Sequence, residues 1–173
     1  MGHPIMPKGL KETSSIIAIG AEVIESAANT YTEQRVDLQL NPLDNEVFVV
    51  YAVDLDVLEP NLVPGVDTNI KASISTTSRT DVGNLAASNV LAINRIEIQS
   101  AGGETARGQF SSDSAPGTQL DYLAIISTND FFVNIQGANN TGARSATARV
   151  YGVRARADAS IYAALVQSEL LSA

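Results

Sequence analysis

The chain contains no cysteine and no tryptophan, and its single histidine is His3. Without cysteine there is no disulfide, no thiolate nucleophile, no zinc ribbon and no iron–sulfur cluster, so stability falls to packing and to contacts with neighbouring chains. His3 lies in Met-Gly-His-Pro beside the first residue, where an unstructured side chain is the expectation and a metal ligand or catalytic base is not. His-dependent triads and most zinc sites are excluded with it. Aromatic residues make up only 5% of the chain, so small and β-branched side chains have to build the core. No run approaches the roughly 20 apolar residues of a membrane span, and the first residues lack the basic-then-apolar order of a secretory signal. The expectation is a soluble chain.

Positive charge is also scarce. The net charge is −8, and residues 1–60 hold ten acids against Lys8, Lys11 and Arg35, while residues 61–173 are nearly balanced. Binding to nucleic acid draws most of its affinity from clustered Lys and Arg that neutralise phosphates. The densest basic stretch is Arg144, Arg149, Arg154 and Arg156, which reads as the solvated or interface-facing side of one strand.

What remains is a chain of 173 residues with 45% hydrophobic content, enough for one domain with a full core. Its periodicity is that of strands. Residues 14–24 place Ile17, Ile19, Ala21 and Val23 on one face, with a helix over AEVIESAA as the competing reading. Val36, Leu38 and Leu40 alternate with Arg35, Asp37 and Gln39 until Asn41-Pro42 ends the strand. In EVFVVYAVDLDVLEP, Val47, Val49, Tyr51, Val53, Leu55 and Val57 share one parity. The other parity changes from Phe48, Val50 and Ala52 to Asp54 and Asp56, so this strand is covered on both faces first and wetted on one face later. Pro60 and Pro64-Gly65 close it.

Residues 68–78 put Ile70, Ala72 and Ile74 inward and Lys71, Ser73 and Ser75 outward. A polar loop leads to VLAINRIEIQS, a strand stopped by Ala101-Gly102-Gly103. Residues 102–118 read as a long surface loop with a short strand at Gln109 to Ser111. LDYLAIIS and FFVNIQG follow as two strands joined by the hairpin-length connector Thr128-Asn129-Asp130. SATARVYGVRARA is the last strand, with Tyr151, Val153 and Ala155 on one side and Arg154 and Arg156 on the other. DASIYAALVQSELLS is a terminal helix with Asp158 or Ser160 as N-cap and Ile161, Leu165 and Ser168 in one stripe beside Tyr162 and Val166.

About eight strands without β-α alternation predict an all-β fold, an eight-stranded antiparallel jelly-roll sandwich with a short C-terminal helix, ahead of an immunoglobulin-like sandwich. The divisions are an extended arm over residues 1–13, the sandwich over 14–157, and a helix over 158–173 that belongs to the same domain. The arm is either a loose tail or a strap over a neighbour, and the helix either caps the sandwich or lies in a contact between subunits.

The chemistry-bearing groups are weak. Asp54, Asp56 and Glu59 raise a calcium reading, but the EF-hand spacing is absent and surface acids are the favoured one. Two carboxylates can serve glycoside hydrolysis, yet the aromatic residues sit at core-like positions. Ala101-Gly102-Gly103-Glu104 lacks the Gly-Lys-Ser/Thr element of a phosphate loop and is a turn. Asn139-Asn140-Thr141 matches a glycosylation sequon and is assigned no role. No catalytic, cofactor-binding or metal-ligating residue is nominated, no cofactor is expected, and the chain is not read as an enzyme.

A cysteine-free, Ser/Thr/Asn-rich eight-strand sandwich with an amino-terminal arm and a terminal helix resembles the single jelly-roll capsid proteins of viruses. Its acidic first third departs from the Arg/Lys-rich arm of those that package RNA directly. It is more similar to the shell proteins of tailless icosahedral viruses of bacteria or archaea whose genome lies inside an internal membrane. The resemblance implies a non-catalytic shell subunit in the virion that self-associates through lateral contacts, with a second capsid protein as a further partner. It implies neither direct nucleic-acid binding nor membrane insertion. A head-to-tail contact of the acidic region with the Arg149 to Arg156 strand of an adjacent copy is one expected interface. The alternatives are a virion spike, fibre or surface-layer subunit, and an extracellular carbohydrate-binding module.

Overall fold

Two antiparallel sheets face each other across an apolar interior in the computed structural model, which describes residues 6–117 and 120–171. The strands are β1 (Leu10–Glu12), β2 (Ile17–Ile24), β3 (Thr32–Asp37), β4 (Glu46–Val57), β5 (Thr68–Ser75), β6 (Val90–Ala101), β7 (Glu104–Ser111), β8 (Ala124–Ile126), β9 (Asp130–Ala138) and β10 (Ser145–Ala157). The helix α1 (Ala159–Leu171) follows. One sheet runs β2-β10-β4-β8, and β1 lies on the same side of β10 as β2 but further along it. The other runs β3-β9-β5-β6-β7. With β1 and β7 set aside, the remaining eight strands form two four-stranded sheets, β2-β10-β4-β8 and β3-β9-β5-β6, the strand order of a jelly roll, as the sequence pattern predicts.

The longest strand pair sets the shape of the first sheet. β10 pairs with β4 until Tyr151 meets Ala52, and then Gly152 meets Val50, which leaves Tyr51 unmatched as a β-bulge. The extra residue inverts the parity of β4. Before it, Phe48 and Val50 face the interior and Val47 and Val49 face outward; after it, Val53, Leu55 and Val57 face the interior. The single shared parity expected for Val47 through Val57 is therefore broken at Tyr51. The burial of both faces in the first half of the strand agrees with expectation, because α1 covers the outer one. Val47, Val49, Val153 and Ala155 form a second small core there with Leu10, Tyr162 and Leu165.

The main core lies between the sheets: Val23, Leu38, Phe48, Val50, Val53, Ile70, Ile74, Ile96, Ile126, Phe131, Val133, Ile135 and Val150 are buried in it. Most are β-branched, as the shortage of aromatics requires.

Several expectations change. β3 begins at Thr32 and ends at Asp37, because Gln39 adopts φ 53°; Leu38 and Leu40 still point inward from an irregular segment whose amides bond to Asn129. Leu10–Glu12, counted with the arm, pair with Ala155–Ala157 as β1. The connector after β8 is not a hairpin, since β8 and β9 belong to different sheets and the chain crosses between them. Ser73 and Ser75, expected in water, are buried on the outer face of their sheet. Residues 104–111 form a full strand where a loop with only a short strand at Gln109 to Ser111 was expected; Gly102 and Gly103, at φ 60° and 80°, make the two-residue turn that permits it. In α1 the N-cap is Asp158, whose carboxylate accepts from the Ile161 amide at 2.9 Å, and the buried end of the stripe is Glu169 rather than Ser168. His3 lies outside the described residues.

Candidate functional site

The acidic trio is separated by the fold. Asp54 and Asp56 project from the outer face of the first sheet, opposite Arg149 and Thr147. Glu59 turns away and takes both ends of Arg107, at 2.9 and 2.5 Å, and this guanidinium holds its carboxyl below the usual range. Among the described residues no group of three His, Cys, Asp or Glu side chains can hold a metal ion. Glu59, committed to Arg107, does not join Asp54 and Asp56 as a third ligand.

The arginines of β10 are likewise distributed. Arg149 is on the outer face, whereas Arg154 and Arg156 lie on the interior side beyond the end of the core. Arg154 pairs with Glu46 at 2.9 Å and donates to the Leu38 carbonyl at 2.6 Å; Arg156 lies 3.8 Å from Asp44. Arg144 donates to the Glu59 carbonyl, and its amide donates to Glu25. The chain's own Glu46 thus occupies Arg154, whereas Arg156 stays largely exposed beside Asp44.

The richest polar constellation was not seen in the sequence. On the outer face of the second sheet, Asn134 of β9 accepts from Ser73 at 2.8 Å and donates to Tyr31 and to Glu33, each at 3.0 Å. Glu33 also accepts from Ser78 at 2.6 Å and from the Arg79 amide at 2.8 Å, and the Gly83 amide donates to Ser73. Burial first, then the neighbouring Glu33, push the Tyr31 phenol well above its ordinary value, so the hydroxyl stays protonated. This cluster works as a clamp. Its serine hydroxyls are committed to acceptors, and its hydrogen bonds fasten residues 76–89 onto the sheet. The signal available was the alternation of Ser73 and Ser75 with Asn134 at facing strand positions, which is indistinguishable from a solvated face until the covering loop is placed.

A second clamp holds the opposite end of the sandwich. Asn140 and Asn29 exchange bonds at 2.8 and 3.0 Å, Asn140 also donates to the Asn69 carbonyl, and Asn61 receives the Thr141 and Gly142 amides. Buried Glu25 accepts from Gly137 and Arg144. Asn139 of the sequon sits at φ 59° in this turn and donates to the Asp67 carbonyl. A third clamp joins α1 to the crossing after β8: one oxygen of Glu169 accepts from the Ser127 amide and hydroxyl and the Thr128 amide, at 2.9, 2.5 and 2.8 Å.

Against these fixed loops, several large apolar side chains stay in water. Leu43, at the turn before β4, is 92% exposed and Leu171, at the end of α1, is 79% exposed; Leu62, Leu85 and Leu170 are also exposed. Beside α1 runs a groove of about 390 Å³ lined by Leu40, Pro42, Tyr162 and Val166 together with Ser127, Thr128 and Asn129. These surfaces are the strongest candidates for function, and they suit contact with other protein rather than chemistry.

No protein-family model matches the chain, and no curated protein matches it. Solved structures with a similar chain path include chimpanzee polyomavirus VP1, at 7% identity over 91% of this chain and 99% of that one, with a TM-score of 0.41. A Desmodium yellow mottle tymovirus structure is similar at 8% identity over 88% and 93% of the two chains, with a TM-score of 0.34. Both are viral capsid proteins. A tailspike protein, gp49 of the Acinetobacter baumannii bacteriophage Fri1, shares 11% identity over 69% of this chain and 19% of its own, at a TM-score of 0.17. The jelly-roll assignment itself stands on the order of the strands in the two sheets.

Proposed function

We propose that this chain is a structural subunit of a virion shell, non-catalytic, that self-associates through lateral contacts. The observation that carries the reading is the combination of rigidly clamped loops with leucines left exposed upon and beside them. Leu43 and Leu171 stand in water in the single chain, and in this reading a subunit buries them against its neighbours. The jelly roll supplies the wall of such a shell, and the Ser, Thr and Asn side chains spent on the clamps keep its loops in one shape through assembly. The low positive charge supports a shell that does not grip nucleic acid directly, and a virus whose genome is enclosed by an inner membrane fits that condition.

Light scattering across protein concentration, with electron microscopy of the large fractions, tests the proposal. Rings, sheets or shells are the expected products. A chain that stays monomeric at every concentration and binds glycans saturably would replace this reading with that of a carbohydrate-binding module.

A further inference from the structure

The sheets end on β1 and β2, on β8, on β3 and on β7, and these edges are not equally protected. An open edge strand offers unpaired N–H and C=O groups to any other strand, and proteins blunt such edges with breaks, charges, proline or short length. The β1–β2 edge is interrupted at residues 13–16, and β8 has only three residues. β3 carries Glu33, Arg35 and Asp37 at alternate positions. β7 is the least protected of the edges: it is eight residues long, pairs with β6 without a register shift, contains no proline or lysine, carries charge only at Glu104 and Arg107, and is exposed along its whole length.

We propose that β7 is a self-complementary edge that pairs antiparallel with β7 of a second copy, joining the second sheets of the two copies across a two-fold axis. The proposal deepens the shell reading, naming one contact by which subunits join.

The geometry specifies the register. The Ser112 amide donates to the Ile93 carbonyl, so by the alternation of an antiparallel ladder Thr105, Arg107, Gln109 and Ser111 direct their backbone groups away from β6. A two-fold axis normal to the sheet pairs residues of like parity, since opposed side chains share a face. Centring the axis on Arg107 would set Arg107 directly against its own copy, which is repulsive. Centring it on Gly108 instead sets Arg107 against Gln109, Ala106 against Phe110, and Thr105 against Ser111. Each match is favourable: Arg107 already donates to Gln109 within one chain at 3.1 Å, a small side chain meets a large one, and hydroxyl meets hydroxyl. Thr105 with Ser111 and Arg107 with Gln109 then exchange the outward backbone bonds. Phe110, partly exposed under the Arg95 guanidinium at 5.2 Å, gains cover from the partner. Strand charge also balances, with Glu104 and Arg107 as its ionised residues.

The absence of cysteine makes the test direct. Gly108→Cys has open space for its side chain and stands opposite itself on the axis, at a Cα separation of about 4.5 to 5.5 Å that suits a disulfide. Under mild oxidation of the full chain it is expected to give a covalent dimer in high yield. Arg107→Cys, offset from its copy along the strands, is expected to give little. Gln109→Pro removes an outward amide that the fold does not use, and is expected to abolish the native dimer while the circular dichroism spectrum stays unchanged. A folded Gly108→Cys protein without cross-link, or unchanged association in folded Gln109→Pro, overturns the pairing. Should shells form in either case, the shell proposal stands while this contact falls. Cross-linked dimers that never assemble further would retain the contact and remove the shell.

Discussion

Gly152 decides the course of two strands. A Cβ at this position would enter the space of the Val49 carbonyl and the Phe48 ring, both fixed in the interior, just where β4 carries its bulge. Gly152→Ala is expected to lower stability by about 1 to 3 kcal/mol through overpacking, read as a reduced midpoint in urea with an unchanged slope. Asn134 is the comparable polar position, fully buried with its amide nitrogen and oxygen both engaged. Asn134→Ala strands several of its partners and is expected to cost about 1 to 3 kcal/mol, with faster proteolysis within residues 76–89 as the more specific sign. Tyr31 adds a pH dependence. Its folded pKa is raised, so its contribution to stability is complete below the unfolded value of about 10 and is lost as pH rises above that point toward the folded one. Melting temperature is therefore expected to fall above about pH 10, and to fall less steeply in Tyr31→Phe. Neither Gly152 nor Asn134 was legible in advance. A glycine in a strand and an asparagine between Val133 and Ile135 read as minor irregularities until the bulge and the covering loop supply their reasons.

At the scale of elements, legibility follows burial. β2, β4, β5, β6 and β10 bury one face against the core, so their alternation appears in the sequence and was read correctly in type. β7 buries neither face, and its existence depends on backbone pairing and the Gly102-Gly103 turn, which leave no period-2 apolar trace. The crossing between β8 and β9 reads as a hairpin because its turn chemistry is that of one; only the pairing of β8 with β4 and of β9 with β3 and β5 shows that the chain changes sheets there. Glu169 is 8% exposed, with one oxygen holding three donors. Its replacement by alanine is expected to release the end of α1 from residues 127–128 at a cost of about 1 to 3 kcal/mol. Hydrogen exchange should report it as lost protection in the last two turns of the helix, with the strand amides of β9 and β10 unaffected.

For the whole molecule, electrostatics and apolar contact act in opposite directions on assembly. Every copy carries −8, most of it from residues 1–60, and Arg154 is engaged by Glu46 of its own chain. Neighbouring copies therefore repel at long range, with few free arginines to offset it. Screening weakens this repulsion, since the Debye length falls from about 30 Å at 0.01 M salt to about 8 Å at 0.15 M. Contacts built from Leu43, Leu171 and the groove between Pro42 and Val166 are apolar and do not weaken with salt over that range. The concentration needed for association is therefore expected to drop as salt rises. Leu43→Glu, at a side chain that makes no buried contact within its own subunit, should raise it again without lowering the melting temperature. Light scattering against ionic strength checks both outcomes. Association that is strongest at the lowest salt would instead show that ion pairs between copies hold the subunits together, and would return the exposed Arg149 to the centre of the interface.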